Sequence, residues 1–300
     1  MPVYHNPEPK AEMQEPSGTT HRWVDIDGVR LHVAELGSGP PVVLVHGFPQ
    51  NWYAWRDIAS LLAADHRVIM PDLRGFGSSD APRRGYGTRT RVDDLETILD
   101  RLEVSEALVC GHEWGAWTAL WLALRSPARV TGVVALNVQH PWPLHRRLVP
   151  SVWRYWYTTA LELPFVGRAI LRHAPAFTRY LLGRRRAADP AVVREYAEQL
   201  RRPDRARAGE KLHRAFIFGD IVPLAFNRYR SRTLTRPAIL LTGSRDPVVT
   251  PAAATGVHPA QAELDVRVVD GGHYLHEDLP VEVAGAIREL EQRARLPYPR

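Results

Sequence analysis

Residues 108–116 read Leu-Val-Cys-Gly-His-Glu-Trp-Gly-Ala. A short apolar run, Ala107–Cys110, leads into Gly111 and Gly115, which flank Glu113, and a stretch with helical period follows over Gly115–Arg125. This is how a strand turning sharply into a helix is spelled. Small flanking residues let the backbone close, and the central side chain is held in a strained conformation above the strand end. The N–H of Trp114, at the helix N-terminus, points to the same spot. An ordinary strand–helix loop with glycines has the same local spelling, so the decision rests on what surrounds it.

Similar junctions recur on both sides. Pro41–His46 is a continuous apolar run suited to a strand buried on both faces, and it leads into His46-Gly47-Phe48-Pro49. A helical stretch over 51–63 and a strand at Arg67–Met70 follow, then the loop Asp72–Ser79, a helix over Val92–Leu102, and a strand at Val130–Leu136. After a long interruption, Ala238–Thr242 runs into Gly243-Ser244-Arg245-Asp246, Val266–Val269 into Gly271-Gly272-His273, and a last helix begins at Pro280. Trp23–Ile26 and Val29–Ala34 alternate around Asp27-Gly28, a hairpin turn pair. The alternation predicts an α/β fold with a mostly parallel twisted sheet flanked by helices. The core covers residues 22–138 and 237–300, an inserted helical cap covers 139–236, and residues 1–21 form a flexible leader.

Five motifs stand at strand ends in the order nucleophile, acid, histidine, which is the order of α/β-hydrolases. Over residues 22–294 the chain resembles the epoxide hydrolase branch of that superfamily. His-Gly-Phe-Pro at 46–49 and Gly-His-(Asp)-Trp-Gly-Ala, spelled here with Glu113, are its signatures. Tyr157-Thr-Thr-Ala-Leu-Glu-Leu-Pro164 resembles the cap segment that carries one ring-opening tyrosine, and Asn227-Arg-Tyr-Arg230 resembles the Asn-Trp-Tyr-Arg motif that carries the second. The resemblance implies Glu113 as nucleophile, His273 as base, Asp246 as the acid orienting it, Tyr157 and Tyr229 as the electrophilic pair, and the Phe48 and Trp114 amides as an oxyanion hole. The activity implied is opening of an epoxide on a bulky organic substrate, aromatic or anionic, of secondary metabolism.

Position 113 departs from the family, which has aspartate there. One extra methylene moves the carboxyl by about 1.5 Å, and a misplacement of ~1 Å can cost roughly 100-fold in rate. Three alternatives therefore stay open. Glu113 acts as general base in a non-covalent hydrolysis, cyclisation or lactone reaction; the chain is haloalkane dehalogenase-like; or it is a catalytically relict ligand binder. A serine esterase is disfavoured because residue 113 is not serine. Trp142, Trp153, Tyr155 and Trp156 are candidates to line a substrate pocket.

The 300 residues are 45% apolar and 24% charged, with a net charge of +6, an ordinary globular mixture. One cysteine, Cys110, excludes an internal disulfide. Neither a metal-ligand motif nor a phosphate loop opening a helix is present, so no cofactor is expected. The basic residues are 37 Arg and only two Lys. Residues 139–236 hold 19 Arg and one Lys against seven acids, a net of +13, which leaves the rest of the chain at −7. The positive charge thus belongs to the insert, where attraction to an acidic rim or steering of an anionic substrate accounts for it better than nucleic acid does. A small-molecule substrate, no nucleic acid, no membrane, a cytoplasmic location and a monomer or homodimer are the expectations.

Overall fold

The computed structural model describes residues 14–182 and 189–295. Eight strands, β1 (Thr20–Ile26), β2 (Val29–Leu36), β3 (Pro41–Val45), β4 (Arg67–Pro71), β5 (Ala107–His112), β6 (Val130–Leu136), β7 (Ala238–Gly243) and β8 (Leu264–Val269), form one sheet. Their order is β1-β2-β4-β3-β5-β6-β7-β8. β2 runs antiparallel to β1 and to β4, and every other neighbouring pair is parallel. The hairpin closes where it is spelled: Ile26 pairs with Val29, and Asp27 and Gly28 both take positive φ (51° and 79°).

Helices α1 (Arg56–Leu62), α2 (Thr88–Arg101) and α3 (Trp114–Arg125) connect the parallel strands. Between β6 and β7 lie α4 (His145–Leu148), α5 (Trp156–Glu162), α6 (Val166–His173), α7 (Pro175–Leu182), α8 (Pro190–Arg201), α9 (Pro203–Phe216) and α10 (Val222–Ala225). The last three are α11 (Pro251–Ala254), α12 (Leu275–Asp278) and α13 (Pro280–Arg295). The inner strands β3 to β7 are largely apolar because both sheet faces are covered there, whereas β1 is mostly exposed. Along β3, Val43 and Val45 pack with α2, α3 and the insert, while Val42 and Leu44 pack with α1 and α13. Among the described residues no helix is long and apolar enough to cross a membrane.

The insert is held to the core largely through main-chain oxygens. Arg154, Arg205 and Arg207 donate to the carbonyls of Pro247 (3.1 Å), Ser79 (2.6 Å) and Ala81 (3.2 Å), and Lys211 donates to that of Arg83. Arg168 instead pairs with Glu210 inside the insert. The charge asymmetry therefore works at these contacts as a supply of hydrogen-bond donors, a use that guanidinium forks suit.

Candidate active site

The parallel strands end on one edge, and the candidate residues converge there. Glu113 sits between β5 and α3 with φ 50° and ψ −112°, a backbone conformation that costs a residue with a Cβ about 1–3 kcal/mol. It is held by its own peptide groups: its N–H donates to Leu136 O (3.1 Å), and its carbonyl accepts from Trp117 N (2.9 Å). A Cβ at Gly115 would run into the Val45 carbonyl, and one at Gly47 would lie 2.7 Å from Glu113 Oε2. Both positions thus require the missing side chain.

The Glu113 carboxylate is partly buried. The Phe48 N–H donates to Oε2 at 2.6 Å, and the Trp114 amide at the start of α3 also favours the ionised carboxyl. Burial pushes its pKa up to about 7, while His273, the two amides and Arg91 pull the other way. His273 Nδ1 lies 2.9 Å from Asp246 Oδ2. The other oxygen, Oδ1, accepts from the backbone N–H groups of Val248 (2.7 Å) and Val249 (3.1 Å), which fixes the carboxylate's orientation.

Two further residues hold this histidine: Asn137, which no motif announced, and His112, which stands inside the elbow signature. Asn137 Nδ2 donates to the carbonyls of Gly272 (2.7 Å) and His273 (2.5 Å), and its Oδ1 accepts from Gly243 N (2.9 Å). His112 Nε2 lies 2.8 Å from the same His273 carbonyl. Burial holds the His112 pKa well below the usual histidine range, so the ring stays neutral and that contact is an N–H donation. A cavity of about 30 Å³ opens on Glu113 and His273 and is roofed by Leu181 of α7, with Phe48, Pro247 and Val248 on its walls. It has room for a water, not for a bulky ligand.

The aromatic residues of the insert are placed unevenly. Tyr155, at the N-cap of α5, is half-buried with its hydroxyl out of solvent, and among the described residues that hydroxyl has no hydrogen-bond partner. Burial together with the charges of Asp246 and Glu113 pushes its pKa up, so it remains a neutral O–H. Trp156 and Tyr157 open α5, and their side chains lie outside the described residues. The Tyr229 hydroxyl donates to Gly219 O (3.0 Å), and its ring packs edge-on to Trp121 (4.8 Å); neither it nor Tyr155 lines the cavity at Glu113. Trp142 is buried away from that cavity, with Nε1 donating to Arg232 O (2.6 Å). Trp153 is 67% exposed under the Arg154 guanidinium, which corrects its expected place in a pocket. At the start of a short helix the arginine gives that indole a partner on the surface.

A family model described as alpha/beta hydrolase fold matches residues 40–280. The chain is 41% identical over 128 residues to Epoxide hydrolase 2 of Siraitia grosvenorii, a match that spans only 40% of that protein's length and 40% of this chain. It is 28% identical over 299 residues to Epoxide hydrolase 4 of Mus musculus, covering 93% of this chain and 81% of that one. Among solved structures, Cfl2 from Burkholderia cenocepacia superposes with a TM-score of 0.80 at 28% identity over 94% of this chain and 99% of its own. The epoxide hydrolase CorEH does so with a TM-score of 0.80 at 25% identity, over 92% and 100%. The family match takes in the sheet from β3 to β8 and all three residues at its edge, and the chain belongs to the alpha/beta hydrolase fold family.

Proposed function

We propose that this protein is an epoxide hydrolase in which Glu113 forms the covalent intermediate. One observation carries the reading: a partly buried carboxylate that accepts from the Phe48 amide shares a cavity with a histidine paired with an aspartate. In the first step the free oxygen of Glu113 attacks a ring carbon, the ring C–O bond breaks, and an alkyl ester forms. The Tyr155 O–H, which has no hydrogen-bond partner among the described residues, hydrogen-bonds the ring oxygen and supplies the proton it takes as the ring opens.

In the second step His273 takes a proton from water, and the hydroxide adds to the ester carbonyl carbon. The charge then falls on the oxygen already seated on the Phe48 and Trp114 amides. Collapse breaks the acyl C–O bond and frees the diol and the Glu113 carboxyl. Protons return to the diol oxygen from His273 and, by way of solvent, to the tyrosinate from the Glu113 acid, which had kept the second proton of the water. Asp246 keeps Nδ1 protonated, so that Nε2 is the basic nitrogen.

This reading assigns the electrophile to Tyr155; the side chain of Tyr157, the residue expected from the sequence, lies outside the described residues. Tyr229 is left to hold the chain at Gly219. Residues 139–236 serve as the lid in this reading, contributing Tyr155 and Leu181, and they must shift to admit a substrate larger than the present cavity.

A second reading has one observation in its favour. A carboxyl with a pKa of about 7 suits a general base, which would activate water directly on the epoxide. Single-turnover hydrolysis in heavy-oxygen water separates the two: the covalent route puts the label in Glu113, and the general-base route puts it in the diol.

A further inference from the structure

Behind the elbow lies a buried guanidinium that neither the triad nor the tyrosines use. Arg91, on α2, is 1% exposed. Its three nitrogens donate to neutral oxygens: Nε to Thr118 Oγ1 (3.0 Å), Nη1 to Tyr86 O (2.7 Å) and Nη2 to Thr88 Oγ1 (2.8 Å). Among the described residues no carboxylate lies within ion-pair distance of it. Burying a cation without such a partner is unfavourable unless nearby negative charge compensates. Two groups do so from opposite sides. Asp220, in the short π-helical segment Ile217–Ile221 of the insert, accepts from Thr88 Oγ1 at 2.6 Å and so sits one hydroxyl away. On the other side the guanidinium lies 5.6 Å from the Trp114 ring centroid, and Glu113 is the residue before that tryptophan. Phe216 closes the far side of the indole at 4.3 Å.

We propose that Arg91 is a positioning residue: a buried counter-charge shared by Glu113 and Asp220 that holds Trp114 against the elbow and keeps the reacting carboxylate ionised. Asp220, delivered by the insert, draws on the same charge. The surrounding charges leave Arg91 that role. Around Glu113 the titratable groups are His273, Tyr155 and Arg91. Around Arg91 they are Asp220, Glu113, Asp94 and Arg74, and the last two are already joined by a two-pronged ion pair at 2.5–2.6 Å. Burial lowers the Arg91 pKa only to about 10, so it stays charged wherever the carboxylate titrates. The two acids then act on the site with opposite signs: removing the cation makes Glu113 harder to ionise, and removing Asp220 makes it easier.

The proposal rests on Glu113 being the reacting carboxylate, and its test is independent of turnover. The full-length protein is labelled with ¹³C-carboxyl glutamate and titrated without substrate by infrared spectroscopy, with Glu113→Gln identifying the Glu113 band. Arg91→Gln should raise the Glu113 midpoint by on the order of one unit. Arg91→Lys should keep it near the native value, and Asp220→Asn should lower it. If Arg91→Gln does not fold, Arg91→Lys and Asp220→Asn carry the test alone. Native midpoints in folded Arg91→Gln, or in Asp220→Asn, overturn the proposal. A protein that turns over no epoxide yet shows these shifts overturns the epoxide reading and leaves the role of Arg91 standing.

Discussion

The amide nitrogen of Phe48 lies 2.6 Å from Oε2 of Glu113, across 65 positions of chain. The contact answers the difficulty raised by the longer side chain. The extra methylene does not push the carboxylate out of the amide pocket, because Gly47 leaves room for the glutamate side chain against the strand end. One oxygen is seated where an oxyanion will form, and the other is free to react.

Tyr155 should behave as an electrophile. Tyr155→Phe removes only the hydroxyl, so the fold should hold while kcat/KM for an epoxide falls about 100-fold, the scale for losing one transition-state donor. Tyr229→Phe loses its bond to Gly219 O and should change kcat/KM by less than ~5-fold. Steady-state kinetics on both variants, with circular dichroism as a control, checks the pair. Equal losses would return Tyr229 to the mechanism.

Glu113 sets an acid limb. The nucleophile must be ionised, so kcat/KM should fall as pH drops through about 7. Its linkage to stability has the opposite sign. The folded pKa lies above the unfolded value of 4.5, so the folded state holds the extra proton between these values and loses that stabilisation as pH rises through about 7. Relieving a buried charge worth about 3 kcal/mol, Glu113→Gln should melt several degrees above the native protein at pH 8 and close to it at pH 4. Thermal melts at the two pH values decide this, and an equal offset at both removes the linkage.

Asn137 should matter to both stability and rate. Its side chain joins Gly243, Gly272 and His273, and its backbone takes φ 44°. Asn137→Ala leaves three buried backbone groups with a partner removed, a loss on the order of 2–3 kcal/mol. It also frees the loop that aims His273, so kcat should fall more than KM changes. Denaturant unfolding together with kinetics tests both parts, and native kcat in a destabilised variant would confine Asn137 to the fold.

Much of this was legible in the residues. Short apolar runs between helical stretches place every strand from β3 to β8 to within a few residues, and Asp27-Gly28 names its hairpin. Glu113, Asp246 and His273 were legible because each stands where an apolar run breaks at glycine or a turn. Tyr155 and Tyr157 belong to one aromatic cluster whose spacing singles out neither. Asn137 and His112 meet His273 across 136 and 161 positions, through main-chain contacts that leave no pattern in sequence. Nothing in the spacing around Arg91 sets it apart from the other arginines; in the fold, Asp220 and Trp114 on either side of it do.

The account turns on an ester at Glu113. His273→Ala leaves the alkylation step intact and disables its hydrolysis. Incubated with styrene oxide, that variant should gain the mass of one epoxide in the intact protein, and peptide mapping should place the addition on Glu113. An unmodified His273→Ala protein, together with native enzyme that turns over in heavy-oxygen water without labelling Glu113, would contradict the covalent mechanism.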